Sequence, residues 1–228
     1  MIGIIGAMKQ EVEMLKEMIE NPQSLLIAHV EFTTGKLFGK EVVLLQSGIG
    51  KVNVAIATTL LLEKFAVTKV INTGSAGGVT PKAKTGDIVI SEEVIYHDVD
   101  VTGFGYKRGQ IPSLPAEFKA DPGLIEIVQQ VLSEKDMRYF RGQIATGDAF
   151  IAKAPQLGVI KYHFPQVIAI EMEAAAVAQV CYQYKIPFII IRSLSDIAGK
   201  DSTTSFESFL PAAAKASTDV VCEVVKIL

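Results

Sequence analysis

Apolar residues in this chain fall in short unbroken runs rather than in alternation. IGIIG (2–6), EVVLLQ (41–46), KVINTG (69–74), DIVIS (87–91), QIATG (143–147), VIAIE (167–171) and PFIIIR (187–192) each read as a strand covered on both faces, because a strand with one wet face alternates with a period of two. Between them the spacing changes to three and four. Residues 8–19, 52–65, 173–184 and 205–227 carry apolar positions at that helical spacing, and 121–135 opens with Asp121 and Pro122, a cap followed by a first-turn proline. Strand and helix alternate, which predicts an α/β fold. The exception is HVEFTTGKLFGKEVVLL (29–45), where alternation broken by Gly35 and Gly39 predicts antiparallel strands. The central sheet, flanked by helices, is therefore expected to be mixed. No repeat, linker or charge block marks a boundary, so one domain spanning 1–228 is expected. The stretch from Tyr96 to Phe118, rich in Gly, Pro and aromatics, reads as a long loop, and long loops in compact domains usually carry function.

Composition narrows the classes. With 228 residues, 49% of them hydrophobic and 21% charged, the chain has enough apolar mass for one sizeable core. A net charge of -3 without a basic stripe leaves a nucleic-acid partner unsupported, and none is expected. No apolar span approaches membrane length, and MIGIIGAMKQEVEML turns acidic too early for a signal peptide, so the expectation is a cytoplasmic protein with no membrane partner. Cys181 and Cys222 sit in apolar helical contexts, which predicts buried free thiols and a reducing compartment.

In open α/β sheets ligands bind beyond the carboxyl ends of the strands. The segments at the ends of the apolar runs share one character: GAMKQE, SGIGK, TGSAGG, TGDAF, EMEA and RSLSD bring small residues, hydroxyls and four carboxylates, Glu11, Asp148, Glu173 and Asp196. Singly, each has a bland reading. Glu173 and Glu11 suit the positive end of a helix, an effect of about 0.3–1 kcal/mol. Asp148 and Asp196 suit caps or turns, and the glycines suit turns. SGIGK lacks the Walker spacing, IGIIGAM lacks that of a dinucleotide fingerprint, and no G-x-S-x-G elbow is present. His97, Asp98 and Asp100 in YHDVD have no recognised metal-ligand spacing. Neither a cofactor nor a metal is expected. What the bland readings leave unexplained is several carboxylates on one inferred rim. Carboxylates, hydroxyls and one arginine suit glycosyl transfer to water, in which one acid protonates the leaving group and a base activates water. An ester or amide hydrolase and a sugar-binding module would draw on a similar set.

GIIGAM with Glu11 close behind it, QSGIGKVN, INTGSAGG, YHDVDVTGFGYKRGQIP, TGDAFI, AIEMEAAAVA and IRSLSD, in this order along almost the whole chain, closely resemble the 5′-methylthioadenosine/S-adenosylhomocysteine nucleosidase family. The resemblance implies a domain of the nucleoside phosphorylase type, a homodimer, and hydrolysis of the N-glycosidic bond of adenine thionucleosides in methionine salvage and the methyl cycle. It casts Asp196 as proton donor to purine N7, Glu11 as base on the attacking water, and Glu173 as holder of the ribose hydroxyls. Ser75 and Arg192 would order the water and the carboxylates. Phe150 would stack on adenine, the Ile151 backbone would read its edge, and Met8, Ile49, Met172 and Phe206 would supply apolar walls. From a second subunit, Phe104 and Pro112, joined by Tyr106, would close the alkylthio end, so that loop 96–115 completes the neighbouring pocket. Lys9 and Gln10 stand where the family often has acidic residues, and Ala175 where it often has Thr. A phosphorylase of the same fold is the alternative; it would need cationic groups for phosphate, and the matching stretches carry a glutamate and no arginine. If the strand runs through Met172, Glu171 and Glu173 share a face by the period of two. Glu171 is then left with a supporting role.

Overall fold

The computed structural model describes residues 1–200 and 202–228, with the side chains of 1–200 and 206–228. Ten strands form one mixed sheet: β1 (Ile2–Gly6), β2 (Glu20–Ile27), β3 (Val30–Leu37), β4 (Lys40–Gln46), β5 (Lys69–Gly78), β6 (Ile88–Tyr96), β7 (Phe118–Lys119), β8 (Tyr139–Thr146), β9 (Val167–Glu171) and β10 (Phe188–Ile197). Six helices accompany it: α1 (Lys9–Met18), α2 (Lys51–Lys64), α3 (Pro122–Glu134), α4 (Ala154–His163), α5 (Ala174–Tyr184) and α6 (Ser202–Ile227). The strand order is β10-β6-β8-β9-β5-β1-β4-β3-β2, and β10 also pairs with β5. That extra pairing closes β5, β10, β6, β8 and β9 into a ring, while β1, β4, β3 and β2 extend from it as an open wing. β1 lies parallel to β4 and β5, whereas β3 is antiparallel to both β2 and β4, so the sheet is mixed as the broken alternation predicts.

Continuous apolar runs become strands buried on both faces: every residue of β1 is buried, as are nine of the ten in β10. Helix α6 packs on β10, β5 and α1, and α2 packs on α5. The Asp121 carboxylate caps α3, accepting the Leu124 N–H at 2.9 Å. Cys181 and Cys222 are free and buried. Among the described residues no helix is long and apolar enough to cross a membrane.

Three differences from the sequence pattern have physical causes. Residues 20–27 form β2, although their side chains are exposed or only partly buried. Hydrogen bonding to β3 alone makes this an edge strand, and an edge strand needs no apolar stripe. Helix α4 buries only Ile160, so it too lacks the apolar periodicity that announces a helix. Most consequential, β5 and β10 run on through GSAGG and SLSDI, where small and polar residues interrupt the apolar runs, because the two pair with each other as far as Gly78 and Ile197.

Candidate active site

The Glu11 carboxylate stands in the first turn of α1, close to the end of β1. Its Oε2 accepts the N–H groups of Ala7 and Met8 at 2.9 and 3.0 Å, the half of a capping box in which a first-turn glutamate reaches back to the helix start. Its Oε1 accepts the N–H and the hydroxyl of Ser75 at 3.0 and 3.1 Å. The residue is 3% exposed and bridges β1 to β5. Glycine at 74 permits this approach: a Cβ there would stand 2.8 Å from Glu11 Oε1.

Asp196 reaches the same space from β10 through an irregularity. The pairing with β5 jumps from Leu194↔Ala76 to Asp196↔Gly77, leaving Ser195 as the extra residue of a bulge. In a regular strand two neighbours point to opposite faces, but Ser195 and Asp196 both line one cavity, as bulged neighbours can. The Ser195 hydroxyl donates to Asp196 Oδ1 at 2.9 Å, and Asp196 is 3% exposed.

Glu173 enters from the opposite wall. It occupies the N-cap position of α5 without capping that helix with its side chain, and its Oε1 accepts the Gly50 N–H at 2.8 Å. Gly50 sits at φ +94, a conformation that favours glycine, at the start of α2. Burial first, then the neighbouring Glu171 charge, push the Glu173 carboxyl up to about 8, with the Arg192 guanidinium and the Gly50 N–H pulling the other way. β9 ends at Glu171 rather than running through Met172, so helix geometry and not strand alternation aims Glu173.

These three carboxyl groups, with Glu171 beside Glu173, line a cavity of about 360 Å³, within the range of about 300–1,000 Å³ common for small-molecule sites. Met8, Ile49, Met172, Phe150 and Phe206 supply its apolar walls, and the rings of Phe150 and Phe206 meet edge-on with centroids 5.7 Å apart. No lysine or arginine lines it among the described residues. Ile151 borders a small recess beside Phe150, Met172 and Asp196.

Other expected site residues lie elsewhere. Arg192 is 1% exposed and behind the wall: its guanidinium pairs with Glu171 Oε2 at 2.7 Å and with Asn72 Oδ1 at 2.6 Å, so it is engaged away from any water in the cavity. Strand alternation explains this, since Arg192 shares its face of β10 with the core residue Leu194. Asp148 is not on the rim with the other three. Its Oδ1 accepts the Lys51 N–H at 2.8 Å, and Asp98 accepts both the Asp148 N–H at 3.0 Å and the Lys51 ammonium at 2.6 Å. Phe104, in a short 3-10 turn, is 85% exposed, and Pro112 is exposed too; neither touches the cavity of its own chain. Lys9 and Gln10 are exposed on α1.

Sequence reading missed Asn72, Thr146, Ser195 and the Gly50 N–H. Two of these left a trace: Asn72 and Thr146 are polar residues inside otherwise apolar strand runs, where a buried polar group requires a partner.

Comparison with known proteins agrees with this architecture. A family model described as the phosphorylase superfamily matches residues 1–226. A Geobacillus sp. (strain WCH70) protein named 5′-methylthioadenosine/S-adenosylhomocysteine nucleosidase is 53% identical over 228 residues, covering 100% of this chain and 98% of that protein. The crystal structure of the nucleosidase of that name from Neisseria meningitidis, in complex with methylthio-immucillin-A, matches with a TM-score of 0.98 at 46% identity, over 100% of this chain and 99% of that one. The Colwellia psychrerythraea 34H enzyme in complex with adenine matches with a TM-score of 0.96 at 46% identity, over 98% and 93%. Matched over its whole length in sequence and in fold, the chain belongs to the 5′-methylthioadenosine/S-adenosylhomocysteine nucleosidase family of the phosphorylase superfamily.

Proposed function

We propose that the cavity holds a 5′-alkylthio adenine nucleoside and hydrolyses its N-glycosidic bond, with Asp196, Glu11 and Glu173 as the groups that act on it. The observation that carries this reading is four buried carboxyl groups, Glu11, Glu171, Glu173 and Asp196, from the ends of three different strands, around one cavity that no cationic side chain lines among the described residues. Asp196 gives a proton to purine N7 as the C1′–N9 bond breaks and its electron pair passes into the base. Water bonds to C1′ and yields its proton to Glu11. The products are adenine and a free 5-thioribose derivative. Glu173 accepts from the ribose hydroxyls, next to the sugar carbon at which positive charge forms in the transition state.

Phe150 and Phe206 suit the faces of adenine, and the Ile151 backbone suits its edge. Met8, Ile49 and Met172 suit the ribose and the thioether, and Ser75 orders Glu11 and the water. Phe104 and Pro112 serve the alkylthio end of a second copy's cavity, in a homodimer completed by loop 96–115; an apolar ring left 85% exposed supports an occupant for that surface. The reading places the enzyme in the cytoplasm, in methionine salvage and the methyl cycle.

Water rather than phosphate is the nucleophile because a phosphate dianion would meet the Glu11 carboxylate in a poorly solvated pocket that no cationic side chain lines among the described residues. The test is adenine release from methylthioadenosine and from S-adenosylhomocysteine with and without phosphate. Equal rates and a free thioribose by mass spectrometry are expected. Release only with phosphate, together with a sugar 1-phosphate, would replace the proposal with a phosphorylase.

A further inference from the structure

Glu171 adjoins the proposed ribose ligand, yet every bond it makes is to the chain itself. Its Oε2 accepts the N–H groups of Glu173 and Ala174 at 2.9 and 2.8 Å and the Arg192 guanidinium at 2.7 Å, while its Oε1 accepts the Thr146 hydroxyl. The Thr146 oxygen in turn accepts the Ala175 N–H at 2.9 Å. The N–H groups that open α5, at Glu173, Ala174 and Ala175, are thus all bonded to side chains of β8 and β9. Those two side chains are register partners, Thr146 opposite Glu171 in adjacent parallel strands.

Helices commonly satisfy such donors with the side chain of the N-cap residue itself. Here the N-cap residue is Glu173, and its carboxylate is turned instead to the cavity and to Gly50. A second chain of bonds runs behind the wall. Arg192 donates to the Asn72 side chain at 2.6 Å and to its carbonyl at 3.3 Å, and Asn72 Nδ2 donates to the Ile5 carbonyl at 2.9 Å. Ile5 lies on β1 just before Ala7, whose N–H holds Glu11. Glu171 therefore joins the frames of the two carboxylates on either side of the cavity.

We infer that Glu171 is a positioning residue: with Thr146 it takes over the capping of α5, which releases the N-cap residue Glu173 to bind substrate, and through Arg192 and Asn72 it fixes Glu173 relative to Glu11. This rests on the reading of Glu173 as the ribose ligand. The Glu171–Arg192 pair is almost wholly buried, with side-chain exposures of 3% and 2%, so it cannot be relaxed by solvent when one member is changed.

A positioning role acting through Glu173 separates from a merely structural cap in a double-mutant cycle. Glu171→Gln should lower kcat/KM for methylthioadenosine by about 10- to 100-fold, the scale on which small misplacements of a substrate-binding group act. In a Glu173→Gln background the same change should cost no more than about 2-fold, because the group it positions is already gone. Binding of adenine alone, which lacks the ribose, should change by less than about 2-fold in calorimetry. An equal loss in both backgrounds, an equal weakening of adenine, or an unchanged kcat/KM would each overturn the inference. If Glu173→Gln by itself turns over normally, the ribose assignment is what has failed, and the inference falls with it. Should Glu171→Gln not fold, Thr146→Val removes the hydroxyl on Oε1 while keeping the ion pair. It is expected to show the same non-additivity with Glu173→Gln in a smaller effect, and additivity would count against the inference.

Discussion

Two depressions in this protein differ in a way that separates volume from chemistry. The larger, about 1010 Å³, lies where β7 and the start of β10 meet α3 and α5, and Glu92, Glu126, Lys119, Arg141 and Lys185 are among its lining residues. Its charges face solvent: Arg141 and Glu92 pair at 2.7 Å with side-chain exposures of 41% and 48%, an arrangement worth about 0–1 kcal/mol. The smaller cavity of about 360 Å³ holds fewer charges, but these are buried, and backbone N–H groups hold Glu11 and Glu173 in place. Removing a carboxylate from water costs free energy that folding alone has no reason to spend. The smaller cavity, where four carboxyl groups are withdrawn from water, is the one with a task.

The comparison can be broken most decisively at Asp196. Asp196→Asn should lose about two to four decades of turnover while the protein stays folded by circular dichroism, since it removes the acid and little else. Turnover near wild type would dismantle the assignment. Glu11→Gln should cost about two to three decades in adenine release while binding of a nucleoside analogue, measured by calorimetry, falls far less. Equal losses would make Glu11 a binding group instead.

Phe104→Ala should weaken binding of methylthioadenosine by about 1–2 kcal/mol and leave adenine binding nearly unchanged, because the lost wall meets the alkylthio end. Sedimentation of the wild type should show a dimer, and full activity in a monomer would remove the basis for this expectation.

A smaller signature is thermodynamic. In the folded protein Glu173 holds its proton up to about 8, against 4.5 for an ordinary glutamate. A raised carboxyl contributes stability that is fully present below 4.5 and is lost as pH rises through about 8. The melting temperature of the empty enzyme should therefore carry a downward component across that interval, and Glu173→Gln should remove it. An identical pH profile in the variant would show that Glu173 is not the titrating group. At the other depression, Arg141→Gln should change stability by no more than about 0.5 kcal/mol and turnover not at all; a marked loss of activity would mean that the larger depression matters to the chemistry after all.

Much of this was legible in the chain because of how burial writes itself into sequence. Unbroken apolar runs such as IGIIG and PFIII announced strands covered on both faces, and the Gly35 and Gly39 interruptions announced the antiparallel wing. The motif order pointed to Glu11, Glu173 and Asp196, which the fold brings to one cavity. Arg192, expected to order the water and the carboxylates, pairs with the Glu171 carboxylate from behind the cavity wall, and a cation in a motif looks the same whether it meets water or a buried carboxylate. Asp148 belongs with the rim on chain position alone, and Lys51 and Asp98 hold it beside the site instead. Strand β2 and helix α4 left no periodic trace, since neither buries a full stripe.

By itself the sequence determined which segments are strands or helices wherever burial imposes a period, and which residue types stand at the strand ends, since both are local consequences of what each side chain does in water. The tertiary structure alone decided that β5 and β10 extend through GSAGG and SLSDI, that a bulge at Ser195 turns Asp196 into the cavity, and that Glu171 caps the helix that Glu173 begins. Each of these depends on a partner distant in the chain: Gly77 for Asp196, Thr146 and Arg192 for Glu171, and Gly50 for Glu173. A donor and acceptor separated by as many as 123 residues leave no pattern between them until the chain has folded.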